Sequence, residues 1–246
     1  MFLPLGMRLI TALAILICSL HFSAAAQTKV YLVPVLHSMH KTNFNYNYDS
    51  VKAIVARTGA DVIAVEIRPE DVGRDSNYLK RNYPLEMWMA PHWFAQKEIE
   101  GFDWLGSDIE GRPIPEGYWQ TGSEPKRLQA QLGSDSVYSA RLKSCQLYTA
   151  ERLKVLTALS LREILASNDA ILTKEYYNCL EQHLRGSDYE ALTQFYTLRN
   201  QKMMQNLDKL LQKHGGKTLA VLTGADHYPY LLDHLKKRNI TVAKLY

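Results

Sequence analysis

The chain has 246 residues, 46% of them hydrophobic, with 29 lysines and arginines against 25 aspartates and glutamates and a formal charge of +4. That excess is mild and is not gathered into runs, which excludes the basic patches that hold nucleic acid. The length suits one large domain or two small ones, and three cysteines are too few for a disulfide-built scaffold.

The first segment reads as an address and not as part of the fold. Arg8 is the only charged residue before Lys29, the apolar run Leu9 to Leu20 follows it, and Ser23-Ala24-Ala25-Ala26-Gln27 closes the segment. A positive start, a short apolar core and an A-x-A-like end are the parts of a secretory signal peptide. The run falls short of the roughly 20 residues of a comfortable membrane span. Residues 1–26 are therefore read as a signal peptide cleaved after Ala26, against the competing reading of an uncleaved anchor. Cys18 follows Ile17, where a lipoprotein signal carries a small residue, which argues against lipidation. No second apolar span follows. The expected product is exported, periplasmic or extracellular, and soluble once the leader is removed. Cys145 and Cys179 remain in it, both in helical patterns, and an oxidising compartment permits a pairing that the sequence does not decide.

Lys29 to Leu36 is β-rich and reads as a strand. Tyr48 to Thr58 reads as a helix with Asp49 or Ser50 near its cap and Gly59 past its end. Asp61 to Ile67 holds the unbroken run Val62-Ile63-Ala64-Val65, as in a strand buried on both faces. Strand, helix and strand so close together make a βαβ unit, so these strands are expected to be parallel. Phe102 to Ser107 is read as a third strand. Residues 70–122 form an aromatic-rich insert that contains all four tryptophans, Trp88, Trp93, Trp104 and Trp119. Such residues serve equally as packing against the sheet or as the lid of a pocket. Residues 124–214 have helical periodicity throughout. Thr218 to Thr223 is a strand, Tyr230 to Arg238 a helix and Ile240 to Leu245 a closing strand. The whole predicts a single α/β domain over 27–246, with a mixed, largely parallel sheet drawn from both ends of the chain and a large helical insertion packed on it.

Four residues stand where a core does not want them. His37 follows the first strand, Glu66 ends the second, and His227 follows the strand before Thr223-Gly224-Ala225-Asp226. Ligands of open α/β sheets bind outside the carboxyl ends of the strands. Two imidazoles and a carboxylate gathered there are a common ligand set for a divalent transition metal. A single strand-end histidine is more often a hydrogen-bonding residue, but a glutamate inside Val-Ile-Ala-Val-Glu-Ile is costly unless it is paired or functional. His40 is a further candidate ligand if its segment is helical. Arg199 falls within the helical stripe of Leu192, Phe195, Tyr196, Met203 and Leu210. An inward arginine needs an anionic partner. That partner is either Glu66 or Asp226 in a structural salt bridge, or a carboxylate or oxyanion in the pocket.

Leu36-His37, Val65-Glu66, Arg199-Asn200-Gln201-Lys202-Met203 and Thr223-Gly224-Ala225-Asp226-His227, in that order, resemble the TraB/GumN and Tiki group. Its wider superfamily includes erythromycin esterases and ChaN-like haem-binding proteins. The resemblance frames the chain from about residue 30 to its end and says little about 70–185. Pro34 stands where the family has glycine three residues before the first histidine, and Tyr228-Pro229-Tyr230 replaces a glycine turn. The resemblance implies a hydrolase-like or metal-binding site, with Asn200, Asp226 and Tyr228 as further candidates beside it. The leading expectation is an exported metal-dependent hydrolase of peptide, amide or ester bonds in a small-molecule or peptide substrate. His37 and His227 would bind the ion, Glu66 would be ligand or general base, and Arg199 would steady negative charge. The alternatives are a haem- or iron-binding protein using His37, His40, Tyr228 and Tyr230, and a family member that binds without catalysis.

Overall fold

The computed structural model describes residues 28–246; the expected leader lies outside them. Four strands, β1 (Lys29–Val35), β2 (Val62–Val65), β3 (Glu98–Gly101) and β4 (Thr218–Gly224), form one sheet in the order β1-β4-β2-β3. Every pairing is parallel. The sheet is thus drawn from both ends of the chain, as expected, and is wholly parallel among the described strands instead of mixed. β4 slots between the strands of the first βαβ unit, which are parallel but not neighbours. β2 is buried throughout and β4 nearly so, which suits the centre of a sheet covered on both faces. Pro34 lies on the edge strand β1, where a missing N–H is tolerated, and its carbonyl accepts the Tyr46 hydroxyl at 2.6 Å.

Between β1 and β3 run α1 (Tyr48–Arg57), α2 (Ser76–Asn82) and α3 (Leu85–Trp93). The helical block comprises α4 (Glu124–Ser134), α5 (Ser136–Arg141), α6 (Lys143–Ala158), α7 (Leu161–Ala166), α8 (Asp169–Leu184) and α9 (Glu190–Lys213), and α10 (Tyr228–Lys237) follows β4. No described helix is long and apolar enough to cross a membrane. The cap of α1 is Asn47, whose side chain accepts the Ser50 N–H. Asp49 then sits in the first turn, where the helix dipole favours an acid.

Alternation along the strands makes two cores. Val33, Val35, Ile63, Val65, Ala220 and Leu222 face α1, α2 and α3 through residues such as Ile54, Leu79 and Met87. Val30, Leu32, Val62, Ala64, Leu219 and Val221 face α9 and α10 through Met203, Leu207, Leu231 and Leu235. A third, smaller cluster of Leu142, Cys145 and Leu184 lies within the helical block. There a disulfide joins Cys145 of α6 to Cys179 of α8.

Two expected strands differ. The third begins and ends earlier, at Glu98–Gly101 instead of Phe102–Ser107. Its acidic residues pair with Lys213, Lys217 and His214 at the sheet's edge, so it lacks the apolar run that marks an interior strand. The closing strand is reduced to one bridge, Val30 to Val242, because most of 240–246 is partly or fully exposed and has little to bury.

Candidate functional site

Parallel strands bring all their carboxyl ends to one edge, and the charged residues gather there. Glu66 follows β2 directly, Asp103 follows β3 after Phe102, and His227 lies three residues beyond Gly224 at the end of β4. His37 opens a short 3-10 turn just past β1. Its φ of 53° puts a non-glycine residue in the left-handed region, a conformation that costs an L-residue roughly 1–2 kcal/mol. The Tyr48 hydroxyl helps to hold it by donating to the His37 carbonyl at 3.0 Å.

Glu66 is the centre of the cluster. Its carboxylate accepts the Gly224 N–H at 2.7 Å and the Thr223 hydroxyl at 3.1 Å. His37 Nε2 stands 3.8 Å from one oxygen and His227 Nε2 3.8 Å from the other. Gly224 makes this approach feasible, because a Cβ there would lie 2.7 Å from His37 Nε2 and 3.2 Å from Glu66 Oε2. The glycine of the Gly-x-x-His spacing is thus required by contact and not by a turn.

Each imidazole is anchored from behind. His37 Nδ1–H donates to Glu86 Oε1 of α3 at 2.7 Å, and His227 Nδ1–H donates to Asn200 Oδ1 of α9 at 2.7 Å. These bonds fix the tautomers and leave both Nε2 atoms facing Glu66. Glu86 is fully buried, and its second oxygen has no hydrogen-bond partner among the described residues. Burial alone would lower the His37 pKa, but the hydrogen bond and charge of Glu86, with the charge of Glu66, carry it above the usual value. The lowering through burial is the largest single influence, and the two carboxylates outweigh it together. His227 goes the other way. Burial, then Arg199 and His37, hold it well below 6.5, so it is neutral. Glu66 is pushed up by burial, against the pull of Arg199, His37 and the Gly224 N–H. One site therefore holds two histidines with divergent proton affinities, the arrangement that separates acid from base roles.

Arg199 grips Asp103 with both arms, Nε to Oδ1 and Nη2 to Oδ2, each at 2.9 Å. Its ionic partner is therefore Asp103, and neither Glu66 nor Asp226. β3 ends early and turns Asp103 under α9, which supplies the anion that the helical stripe demanded. The stripe itself is divided: Leu192, Phe195 and Tyr196 line a cavity, whereas Met203 and Leu210 pack on the sheet. Arg199 lies at the junction, 23% exposed. The cavity measures about 660 Å³ and is lined at this end by His37, Glu66, Asp103 and Arg199. His227 is not among its lining residues. It stands behind Glu66 and stacks on Tyr196 at 5.3 Å.

The other candidates have structural duties. His40 uses both nitrogens, with Nε2 accepting the Leu36 N–H at 2.8 Å and Nδ1–H donating to the Tyr46 carbonyl at 2.6 Å. No lone pair remains for a metal, and the expected role as a ligand is replaced by that of a clamp on the turn carrying His37. Asp226 is held by Arg152 at 2.7 Å and by the Tyr177 hydroxyl at 3.0 Å. Tyr228 packs against the α9–α10 core, outside the cavity lining. Glu86 and Asp103 were missed from the sequence. Glu86 sits in Leu85-Glu86-Met87-Trp88 and Asp103 in Phe102-Asp103-Trp104. Each is an acid among large apolar residues, the signal that singled out Glu66. Among the tryptophans, Trp119 lines the cavity, whereas Trp88 and Trp93 pack on the first core.

The donor kinds at His37, Glu66 and His227 suit a divalent ion, and both histidines carry the outer hydrogen bonds common in metal sites. Their spacing does not. The described clusters whose ligand atoms all lie within 4.8 Å of one another are Cys145/Cys179/His183 and Glu98/Glu100/His214. The first consists largely of the disulfide, and lysines neutralise the second. Comparison of the chain with family models, with curated proteins and with solved structures finds no match.

Proposed function

We propose that this chain is a hydrolase of ester, amide or peptide bonds, working on an exported protein's substrates at the cavity end formed by His37, Glu66 and Arg199. The observation that carries the reading is the Glu86–His37 couple, 2.7 Å long, in a histidine that lines the cavity. A buried carboxylate that fixes a histidine tautomer in this way prepares Nε2 to take a proton. The resemblance of four short motifs to the TraB/GumN and Tiki group and its esterase relatives points the same way.

In the proposed reaction, His37 Nε2 accepts a proton from water as the water oxygen bonds to the scissile carbonyl carbon. The carbonyl π electrons move to oxygen, and the oxyanion forms beside Arg199, whose charge stabilises it. Asp103 keeps the guanidinium in place. As the carbonyl re-forms, the C–O or C–N bond breaks and the proton on His37 passes to the leaving alcohol or amine. The products are a carboxylic acid and that alcohol or amine. Glu66, held by Gly224 and Thr223, carries the negative charge that steadies the imidazolium, and neutral His227 backs Glu66 without adding a competing proton.

A divalent ion on His37, Glu66 and His227 is the second reading, favoured by the two Nε2 atoms turned towards one carboxylate. The three donors do not close on a common point, since each Nε2 stands 3.8 Å from a different oxygen of Glu66. Haem or iron ligation finds fewer of its expected residues in the cavity, since His40 is committed and Tyr228 faces a core. The test is hydrolysis of p-nitrophenyl butyrate and a dipeptide panel by wild type and His37→Ala, before and after dialysis against a chelator. The proposal expects turnover that His37→Ala loses by about 100-fold or more and that chelation leaves intact. Turnover lost on chelation and restored by one metal would install the second reading instead. No turnover on any substrate would remove the hydrolase reading.

A further inference from the structure

Away from the sheet edge, three side chains that can ligate a metal meet within the helical block. Cys145 of α6 and Cys179 of α8 form the disulfide, and His183 follows Cys179 by one helical turn on the same face of α8. A ring nitrogen of His183 and the two sulfurs all lie within 4.8 Å of one another. A disulfide has no need of an imidazole beside it. The His183 ring makes no hydrogen bond or ion pair with any other described residue, although the residue is half-buried. Its surroundings are largely apolar, with Leu142 and Leu184 buried beside Cys145 and Leu132 and Leu180 packed against them.

We propose that the reduced chain binds a thiophilic divalent ion, zinc before others, through the sulfurs of Cys145 and Cys179 and the ring of His183. A dithiol reductant gives the disulfide two electrons and two protons and becomes a disulfide itself, and the ion then displaces both thiol protons to solvent. Zinc–sulfur bonds of about 2.3 Å in a tetrahedron hold two thiolates roughly 3.8 Å apart. The Cα atoms of the two cysteines are 5.6 Å apart, which puts that opening within reach of rotation about the Cα–Cβ bonds. Two thiolates, a neutral imidazole and a dication sum to no net charge, which an apolar setting accepts better than bare thiolates. Sulfur and imidazole donors select zinc over calcium and magnesium, and three protein ligands leave a fourth position for water. The ion ties α6 to α8 as the disulfide does, so the cavity wall to which Cys145 contributes keeps its support in either redox state. This site is independent of the hydrolase reading, whose residues lie at the sheet edge.

Cobalt(II) is the probe, because its bonds to thiolate give a charge-transfer absorption that carboxylate and imidazole ligands alone do not. The chain is reduced with a phosphine, freed of excess reductant under argon and titrated with cobalt(II), while circular dichroism follows the fold. The reduced wild type is expected to gain the thiolate band up to one ion per chain and to lose it to added zinc, and the oxidised chain should show no such band. His183→Ala keeps the disulfide and, once reduced, should bind cobalt more weakly by at least about 10-fold, the least that disturbing even an outer partner of a metal costs. A folded, reduced wild type without the band, or a His183→Ala variant that binds as tightly as wild type, overturns the proposal. If reduction alone unfolds the chain, zinc should restore the helical signal in wild type and not in His183→Ala, since binding is then coupled to folding. Zinc that restores it in both chains, or in neither, overturns the proposal as well.

Discussion

Arg199→Leu removes one half of a bidentate ion pair and leaves the other half in a dry place. Asp103 is 2% exposed and would keep only the Trp104 N–H, which it accepts at 2.7 Å. Breaking a buried pair from one side costs about 3–5 kcal/mol. For a domain of this size that corresponds to a melting point lower by roughly 6–20 °C. The reverse change, Asp103→Leu, should cost less, about 1–3 kcal/mol, because Arg199 retains access to cavity water. The double leucine variant should recover most of the loss, since an ion pair replaced by apolar side chains is often neutral or better. Arg199→Lys should melt within a few degrees of wild type yet lose turnover, because an ammonium cannot span both oxygens and also present charge to the cavity. Thermal melts and ester hydrolysis on the four variants supply the cycle. Single effects that simply add would show that Arg199 and Asp103 are not coupled. A fully active lysine variant would reduce Arg199 to a structural tie.

Other consequences follow from the same geometry. Gly224→Ala should abolish turnover with a modest change in melting, because its Cβ falls 2.7 Å from His37 Nε2; an active alanine variant would show that His37 can shift harmlessly. His40→Ala should cost about 1–3 kcal/mol of stability through its two lost hydrogen bonds, and His37→Ala should also lower stability, because it takes away the hydrogen bond of the fully buried Glu86; urea titrations of both check this, and a His37→Ala midpoint equal to wild type would contradict it. His227 stays neutral in the folded chain, whereas the unfolded chain protonates it below about pH 6.5. Stability should therefore fall as pH drops below that value, by up to about 1.4 kcal/mol per unit from this one group. His227→Gln should flatten that part of the slope in urea melts at pH 7.5 and pH 5, and an unchanged slope would contradict the assignment. Replacing Cys145 and Cys179 by serine opens a loop with a sequence separation of 34 and should cost about 3–4 kcal/mol, read as a lower urea midpoint.

The sequence showed the parts of this fold whose signal is local. Val62-Ile63-Ala64-Val65 could only be an interior strand, and Glu66 stood out because it interrupts such a run. The two histidines were legible from their places after strands. What escaped was whatever depended on distant pairing. Glu86 lies 49 residues from His37, and Asp103 lies 96 from Arg199, so neither partnership leaves a trace in a short window. β3 escaped because an edge strand with paired acids looks polar. His40 misled because its spacing from His37 suited a ligand pair, while its chemistry was already spent on the backbone of the turn. Arg199 was correctly read as inward and needing an anion, but the anion came from a strand end placed too late in the chain.

The pH dependence of kcat/KM for wild type and Glu86→Gln reaches the heart of the proposal. Activity should rise with pH along a limb centred above the ordinary imidazole value of 6.5, because His37 must lose its proton to act as base and Glu86 makes that proton harder to lose. Glu86→Gln keeps the shape but removes the charge, so the limb should move to lower pH and the plateau should fall. A variant whose limb and plateau both match wild type would contradict the claim that the Glu86–His37 couple drives this site.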